Sequence, residues 1–544
     1  MEQCNKASGN GVNVKNQIFN PYLPSCEYIP DGEPRVFEDR LYIYGSHDKF
    51  NGSTYCENDY VCWSAPLSDL SDFRYEGIIY KKSSHPYKTK RGELFAPDVV
   101  RGVDGRYYLY YSMAHSSVIS VAVSDTPSGE YTYLSDVQFK DGRLPGNRTG
   151  DYYQFDPAVL VDDDNRIYMY SGFNPDKEAD ENGIIYAGCH VCELESDMYT
   201  VKVKPKLIIN KHDYKEYDAQ YFEAPSIRKI NSIYYLVYSV RCGGLHYCYS
   251  KYPDRGYVYG GRIHSTSDVG IDSFTVDKPA YPVGNTHGGI AFINGSYYIF
   301  DHRLTNNSSY CRQGVAEKII IEKNGHIKQK EATSCGLNNA PLEGSGTYPS
   351  YIACNLIDRN VHKDKNEIKE KRMCITQDAQ DWDFELEKLY DGNNKEGCER
   401  NTIDIKKQRP VQYVHNVHND CTVGFKYFNI KDIKSITLKV KGSAKGKIII
   451  TSKIDKLDFE KIGHKESVNK ANLSKDLSKN ILNDILNDIL KYNLKDICGI
   501  SQIHLSGENI EKIDIPVNME DGINPLYITF TGDGMFDFYE FEIS

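Results

Sequence analysis

Apolar and polar positions alternate along most of the chain with a period of two, in short runs. FEAPSIRKINSIYYLVYS (222–239) is typical: a short alternating run, a turn at Asn231-Ser232 and a return through the aromatic run YYLVYS. Alternation over four to eight residues, punctuated by Gly, Asn, Asp and Pro, predicts β-hairpins. The arrangement occurs five times. Asp31 leads into RVFEDRLYIYGS, Asp98 into VVRGVDGRYYLYYS, Asp156 into PAVLVDDDNRIYMYS, Glu223 into its own run and His287 into GGIAFINGSYYIFDHR. By subtraction of their numbers, the leaders are 67, 58, 67 and 64 residues apart. So steady a period in all-strand language predicts a radial array of sheets, because one meander cannot bury both of its faces alone. The predicted fold is all-β, with a five-bladed β-propeller over residues 1–345. The innermost strand of each blade runs along the axis, so the five leaders converge at one mouth of the channel.

GLNNAPLEGSGTYPSY (336–351) is rich in Gly, Pro, Ser and Asn and marks a linker. Beyond it, MCITQ, QYVHNV, TVGFKYFNI, SITLKVKG, GKIIITSK, EKIDIPV, PLYITFTG and FDFYEFEIS predict short strands separated by turns, a β-sandwich or jelly roll over 346–544. A low-complexity insertion at about 463–500 carries an ILND repeat whose Ile481, Ile485 and Ile489 would form one apolar helical stripe. His415 and His418, three apart on one predicted strand, face opposite ways and do not make a metal pair.

Composition narrows the function. A chain of 544 residues exceeds one ordinary core, and its 44 tyrosines suit pleated strands and sugar-stacking surfaces. A net charge of −11 and a pI near 5.8, without a basic face, argue against a nucleic-acid partner. No run of about 20 apolar residues predicts a membrane span, and the first residues show no leader pattern, so a cytoplasmic protein is expected. Fifteen cysteines without framework spacing read as thiols in a reducing compartment, and the lone CxxC of Cys189 and Cys192 as structural. Asp162, Asp163 and Asp164 read as a hairpin turn.

Clustered carboxylates raise one another's pKa, and structure alone gives no reason to collect them. Glycosidic hydrolysis does: one protonated carboxyl donates to the leaving oxygen, while an ionised one activates water or attacks the anomeric carbon. Ala96 and Pro97 deliver Asp98 to the mouth with Phe95 near the axis, giving Asp98 a pocket role or that of a turn cap. His287, flanked by glycines, suits a metal or a substrate.

Asp31 in its proline-rich approach, Asp156 in FDPAVLVDDDNRIYMYSG, Glu223 in FEAPSIRKINSIYYLVYS, APDVV before them and THGGIAFINGSYYIFDHR after resemble glycoside hydrolase family 43 over about residues 18–330. The resemblance implies an inverting five-bladed enzyme acting on α-L-arabinofuranosides, β-D-xylosides or, in some members, β-galactosides. It implies a general base at Asp31, a pKa modulator at Asp156 and a general acid at Glu223. Inversion sets the base and acid carboxyls about 6.5–9.5 Å apart. His287 is similar to an axial histidine that ligands a structural calcium ion, and Arg312 to an arginine that holds substrate hydroxyls. No organic cofactor is implied. The family usually opens its first blade with Asp-Pro, whereas here Glu33 precedes the proline, so Glu33 stands as the alternative base. The C-terminal strands resemble family 6 carbohydrate-binding modules, either binding sugar or buttressing the propeller. The expected function is release of terminal arabinofuranose or xylose from short oligosaccharides. An exo-β-galactosidase, a retaining glycosidase, a phosphorylase and a non-catalytic sugar-binding propeller remain alternatives.

Overall fold

The structure, a computed structural model, describes residues 17–86, 92–359, 372–378, 410–454 and 496–544. The stripe at Ile481, Ile485 and Ile489 lies outside these residues. Five antiparallel sheets follow one another around an axis, each with its strands in chain order from the inside outwards. The innermost strands are Glu33–Phe37, Asp98–Arg101, Ala158–Val161, Glu223–Ile230 and Ile290–Ile293. Blade three gains a fifth, parallel strand at its rim, Gln138–Phe139, and blade five has three strands. Among the described residues there is no α-helix, and none that could cross a membrane.

Period-two alternation explains how the blades adhere. In the second strand of blade two, Tyr107, Leu109 and Tyr111 pack against blade one, while Tyr108 and Tyr110 pack against blade three. In blade three, Ile167 and Met169 face blade two, and Tyr168 and Tyr170 face blade four. Each blade interface is one apolar cluster, and five interfaces close the ring. Cys189 and Cys192 follow the same rule: three residues apart, they enter the clusters on opposite faces of blade three. Trp63 is blade core at 2% exposure, its indole Nε1 donating to buried Glu27 at 2.7 Å.

The closing interface, between blades five and one, incorporates the chain's opening segment. Ile18, Tyr22, Leu23 and Ile29 complete its apolar cluster. Buried Asn20 pins that segment: its Nδ2 donates to the carbonyls of Ala316 (3.1 Å) and Thr333 (3.0 Å) and to Glu317 (3.0 Å), and its Oδ1 accepts from the Ala316 amide (2.9 Å).

Among the described residues the second sheet has ten strands, the first of them Leu342–Glu343. It differs from the expected row of short strands in one respect. SITLKVKG and GKIIITSK belong to a single strand, Ser435–Thr451, and PLYITFTG and FDFYEFEIS to another, Gly522–Ile543. These two pair from Ile436↔Ile543 to Thr451↔Tyr527. The glycines read as turns are bends made jointly: a Cβ on Gly442 would lie 2.5 Å from the Met535 carbonyl, and one on Gly532 2.3 Å from that of Lys445. Ile497–Ser506, at the end of the expected insertion, is a strand.

Asn20→Ala should lower stability by about 2–4 kcal/mol, because it strips several buried partners at once. Urea unfolding would measure it, and a loss below about 0.5 kcal/mol would show that the ring closes without this pin.

Candidate active site

Register sorts the acids of the axis into two layers. Glu33, Asp98 and Ala158 occupy the same ladder position, opposite Tyr44, Tyr110 and Tyr170. Asp31 and Asp156 lie two residues earlier, each in the left-handed region (φ 58° and 49°), and the bulge after Glu223 puts Ala224 there too (φ 65°). Left-handed non-glycine residues cost energy and gather where a site imposes them.

Asp98 therefore sits deeper than Asp31 and Asp156. It is completely buried, with Arg35 Nη2 at 2.6 Å from both of its oxygens and the Val159 amide donating to Oδ2 at 2.8 Å. Glu33, the alternative base, is held in the same layer by Arg228 at 2.7 Å, and Gly289 leaves room for it: a Cβ there would lie 2.7 Å from Glu33 Oε2. His287 stands between the layers, its Nε2 3.9 Å from Glu33 and its Nδ1 3.8 Å from Asp156. Arg35 and Arg228 hold Asp98 and one oxygen of Glu33, but Glu33 Oε1, 3.9 Å from His287 Nε2, is buried without a hydrogen-bond partner, so His287 and that oxygen are the described groups that could face a calcium ion completed by water.

Asp31 is gripped from two adjacent strands of blade five. Arg312 Nη1 lies 3.0 Å from its Oδ1, and His302 Nδ1 accepts its backbone amide at 3.2 Å. The His302 Nε2–H donates to the Asn285 carbonyl at 2.8 Å, which leaves Nδ1 as the acceptor, and burial lowers the pKa of the ring further. Asp48 orients Arg312, accepting from Nε at 2.8 Å and Nη2 at 2.9 Å. The expected substrate-binding arginine is thus turned onto the acids and is itself 1% exposed. Burial would raise Asp31, but Arg312, then His302 and His287, bring it below its usual range.

The other two acids have no guanidinium at ion-pair distance among the described residues. Burial, then the charge of Asp31, pushes Glu223 up to about 8. Asp156 rises well above its ordinary value through burial and then the charges of Glu223 and Asp31. Asp31 gives up its proton readily and Glu223 keeps one up to about 8, so ionised and protonated carboxyls share the mouth. The charge of Asp31 acts on both Glu223 and Asp156, and these two repel one another as well.

Phe95, half-buried, begins an aromatic wall. Its ring meets Phe155 at 5.6 Å, Phe155 meets Phe173 at 5.0 Å, and Phe173 meets Phe222 at 5.5 Å. Tyr55 lies opposite, with Arg312 4.9 Å from its ring centre. Beside Glu223 opens a polar cleft of about 380 Å³, lined by Asn174, Lys211, Gln220, Phe222 and Arg241 among others. Arg241 covers the Phe222 ring at 4.7 Å and is tied to Asp176 at 2.8 Å. Asp48, His302, Arg35 and Arg228 have no leader position to mark them. For Asp48 and His302 the only sequence signal is that GSHD and FDHR place charged residues at the ends of aromatic strands, and Arg35 and Arg228 lie inside inner strands without even that.

Buried acids of opposite protonation at the mouth of a five-bladed propeller define a glycosidase. Residues 29–327 match Glycosyl hydrolases family 43, and the chain belongs to that family. A xylosidase/arabinosidase of Thermoclostridium stercorarium is 46% identical over 444 residues, covering 80% of this chain and 87% of the relative. A family 43 arabinoxylan arabinofuranohydrolase from Bacillus subtilis, in complex with cellotetraose, aligns over 96% of this chain and 97% of its own at 17% identity and a TM-score of 0.47. A family 43 beta-xylosidase/alpha-arabinofuranosidase from a compost microbial metagenome, with xylotriose and in a calcium-free form, covers 56% of this chain and 95% of its own at 24% identity and a TM-score of 0.46.

The pKa shifts predict a bell-shaped kcat/KM profile. Activity falls as pH rises through about 8 and Glu223 loses its proton, and falls again when Asp31 is protonated below the usual carboxylate range. Asp31→Asn should lower the Glu223 pKa, read by carboxyl-carbon NMR. An unmoved Glu223 would mean that burial alone raises it.

Proposed function

We propose that this glycosidase releases terminal α-L-arabinofuranose or β-D-xylose from short arabino- or xylo-oligosaccharides, with inversion at the anomeric carbon. The observation that carries the mechanism is the division of charge: Asp31 has Arg312 at 3.0 Å, and Glu223 has no such partner and is raised to about 8. Asp31 draws a proton from water, the water oxygen bonds to the anomeric carbon, and Glu223 gives its proton to the departing glycosidic oxygen. Asp156, beside Glu223, orients the sugar and the acid. The aromatic wall from Phe95 to Phe222 supplies an apolar face for the pentose ring. Leaving-group sugars extend into the cleft beside Glu223, where Arg241 and Gln220 offer donors.

The choice of pentoses follows the Thermoclostridium stercorarium relative, a xylosidase/arabinosidase that covers most of this chain. A calcium ion held by His287 and Glu33 would supply positive charge beside Asp156, so chelation should lower activity and Ca²⁺ restore it; full activity after chelation would leave that charge to Arg35 and Arg228 alone.

The panel that tests this reading is p-nitrophenyl α-L-arabinofuranoside, β-D-xyloside and β-D-galactoside. Turnover of a pentoside, with the inverted anomer appearing first by proton NMR, is expected. Glu223→Gln should cost about 10³-fold or more on a natural oligosaccharide, with the fold intact by circular dichroism. A retained anomer would overturn the role of Asp31, and sugar binding without turnover would make the chain a lectin. Arg241→Ala should raise KM for oligosaccharides about tenfold while leaving the nitrophenyl pentoside nearly unchanged. Equal effects on both would remove the cleft from the leaving-group path.

A further inference from the structure

The second sheet holds a cluster that the sugar chemistry does not use. Asp358 ends the strand Asn355–Asp358 and lies directly opposite Cys421, the first residue of Cys421–Ile430. His418 ends the preceding strand, Gln412–His418, and the turn Asn419-Asp420 brings it back towards Cys421. A carboxylate oxygen, an imidazole nitrogen and a sulfur thereby come within 4.8 Å of one another.

The histidine tautomer makes this arrangement informative. His418 Nδ1 lies 2.8 Å from the Asn416 carbonyl, an acceptor only, and 3.5 Å from Cys421 Sγ, so Nδ1 carries a hydrogen and Nε2 is the nitrogen left to meet either an ion or a second hydrogen. That Nε2 is buried without a hydrogen-bond partner and faces Asp358 Oδ2 at 3.3 Å. A charge-assisted N–H···O bond would draw the two to about 2.7–2.9 Å. Two ligands on one tetrahedral ion, with bonds of about 2.0–2.1 Å, stand about 3.3 Å apart. The separation suits an ion between them better than a shared proton. A backbone carbonyl on the far nitrogen is also the usual support of a metal-binding imidazole.

We propose that Asp358, His418 and Cys421 form a binding site for a zinc-class divalent cation. Mixed oxygen, nitrogen and sulfur donors select a borderline metal over calcium or magnesium. Cys421 is fully buried, while His418 and Asp358 keep 16% and 8% of their side chains exposed, which leaves the fourth position to water at the sheet's edge. The ion would join three strand ends on which Val417, Val423 and Phe530 pack. His415 takes no part: its Nδ1 lies 2.6 Å from Asp537, on the other side of its strand.

The test uses the full chain, stripped with chelator and titrated with Co²⁺ alone. One equivalent should bind, producing tetrahedral visible bands and a near-ultraviolet thiolate-to-cobalt band, and one equivalent of Zn²⁺ should abolish both. Cys421→Ser should remove the near-ultraviolet band, and His418→Ala should remove binding. Asp358→Asn, a change of nearly equal size at the exposed rim, should weaken Co²⁺ at least tenfold while keeping the sulfur band. Wild-type protein should also unfold at a higher temperature with Zn²⁺ than without. Failure of the wild type to bind Co²⁺, or a sulfur band unchanged in Cys421→Ser, would overturn the proposal and leave a proton as the occupant.

Discussion

The propeller depends on where its guanidiniums go. Four inner strands and the turns before them deliver Asp31, Glu33, Asp98, Asp156 and Glu223 to one narrow axis, and five ionised carboxylates in so small and dry a space would repel one another strongly. Arg228 on Glu33 and Arg35 on Asp98 hold the deeper layer, and Arg312 on Asp31 the outer one. Asp156 and Glu223 receive none, and burial near the charge of Asp31 raises the pKa of both instead. The distribution that lets the blades converge thus also separates a base from an acid. A cation over Glu223 would ease the packing and abolish its readiness to donate.

Much of this was legible in the sequence because strand alternation is a local signal. The aromatic runs after each leader both glue neighbouring blades and identify the blade, so the five-fold repeat and the convergence of Asp31, Asp156 and Glu223 could be read from spacing. Asp98 shows the limit of that reading. It leads its run like the others, yet it pairs in the ladder level with Glu33, whereas Asp31 stands two residues before that level, and a shift of two keeps the face while changing the depth. Depth decides whether an acid meets a sugar or an arginine. Asp48 and His302 were less legible for a different reason: each acts through a partner more than 250 residues away in the chain.

The second sheet was misread at its glycines. Gly-Ser in SITLKVKGSAKG and Thr-Gly-Asp-Gly before FDFYEF carry ordinary turn signals, and in isolation either would close a hairpin. Here the two runs lie against each other, and each glycine meets the partner strand's backbone where a side chain would collide. Bending together satisfies the glycines without breaking the ladder. Sequence shows that glycine permits a sharp change of direction, but only pairing shows whether the strand turns back or curls.

That sheet reaches the chemistry through the same period of two. On strand Ser296–Thr305, His302 faces Asp31, and its neighbour Arg303 faces the other way, donating to the carbonyls of Ala353 (2.9 Å) and Tyr351 (2.8 Å). On the adjoining strand Ser308–Ile319, Arg312 faces Asp31, and its neighbour Gln313 donates to Gln412 at 3.3 Å and to the Ser25 carbonyl at 2.6 Å. Arg303 and Gln313 are themselves cross-strand partners, 3.1 Å apart. Both side chains that grip Asp31 therefore have, one residue away, a side chain anchored in the second sheet. A strand can yield at one residue only by moving the next, so the position of Asp31 is set by contacts on both faces of blade five. The C-terminal sheet thereby bears on the reaction whether or not it ever touches a sugar.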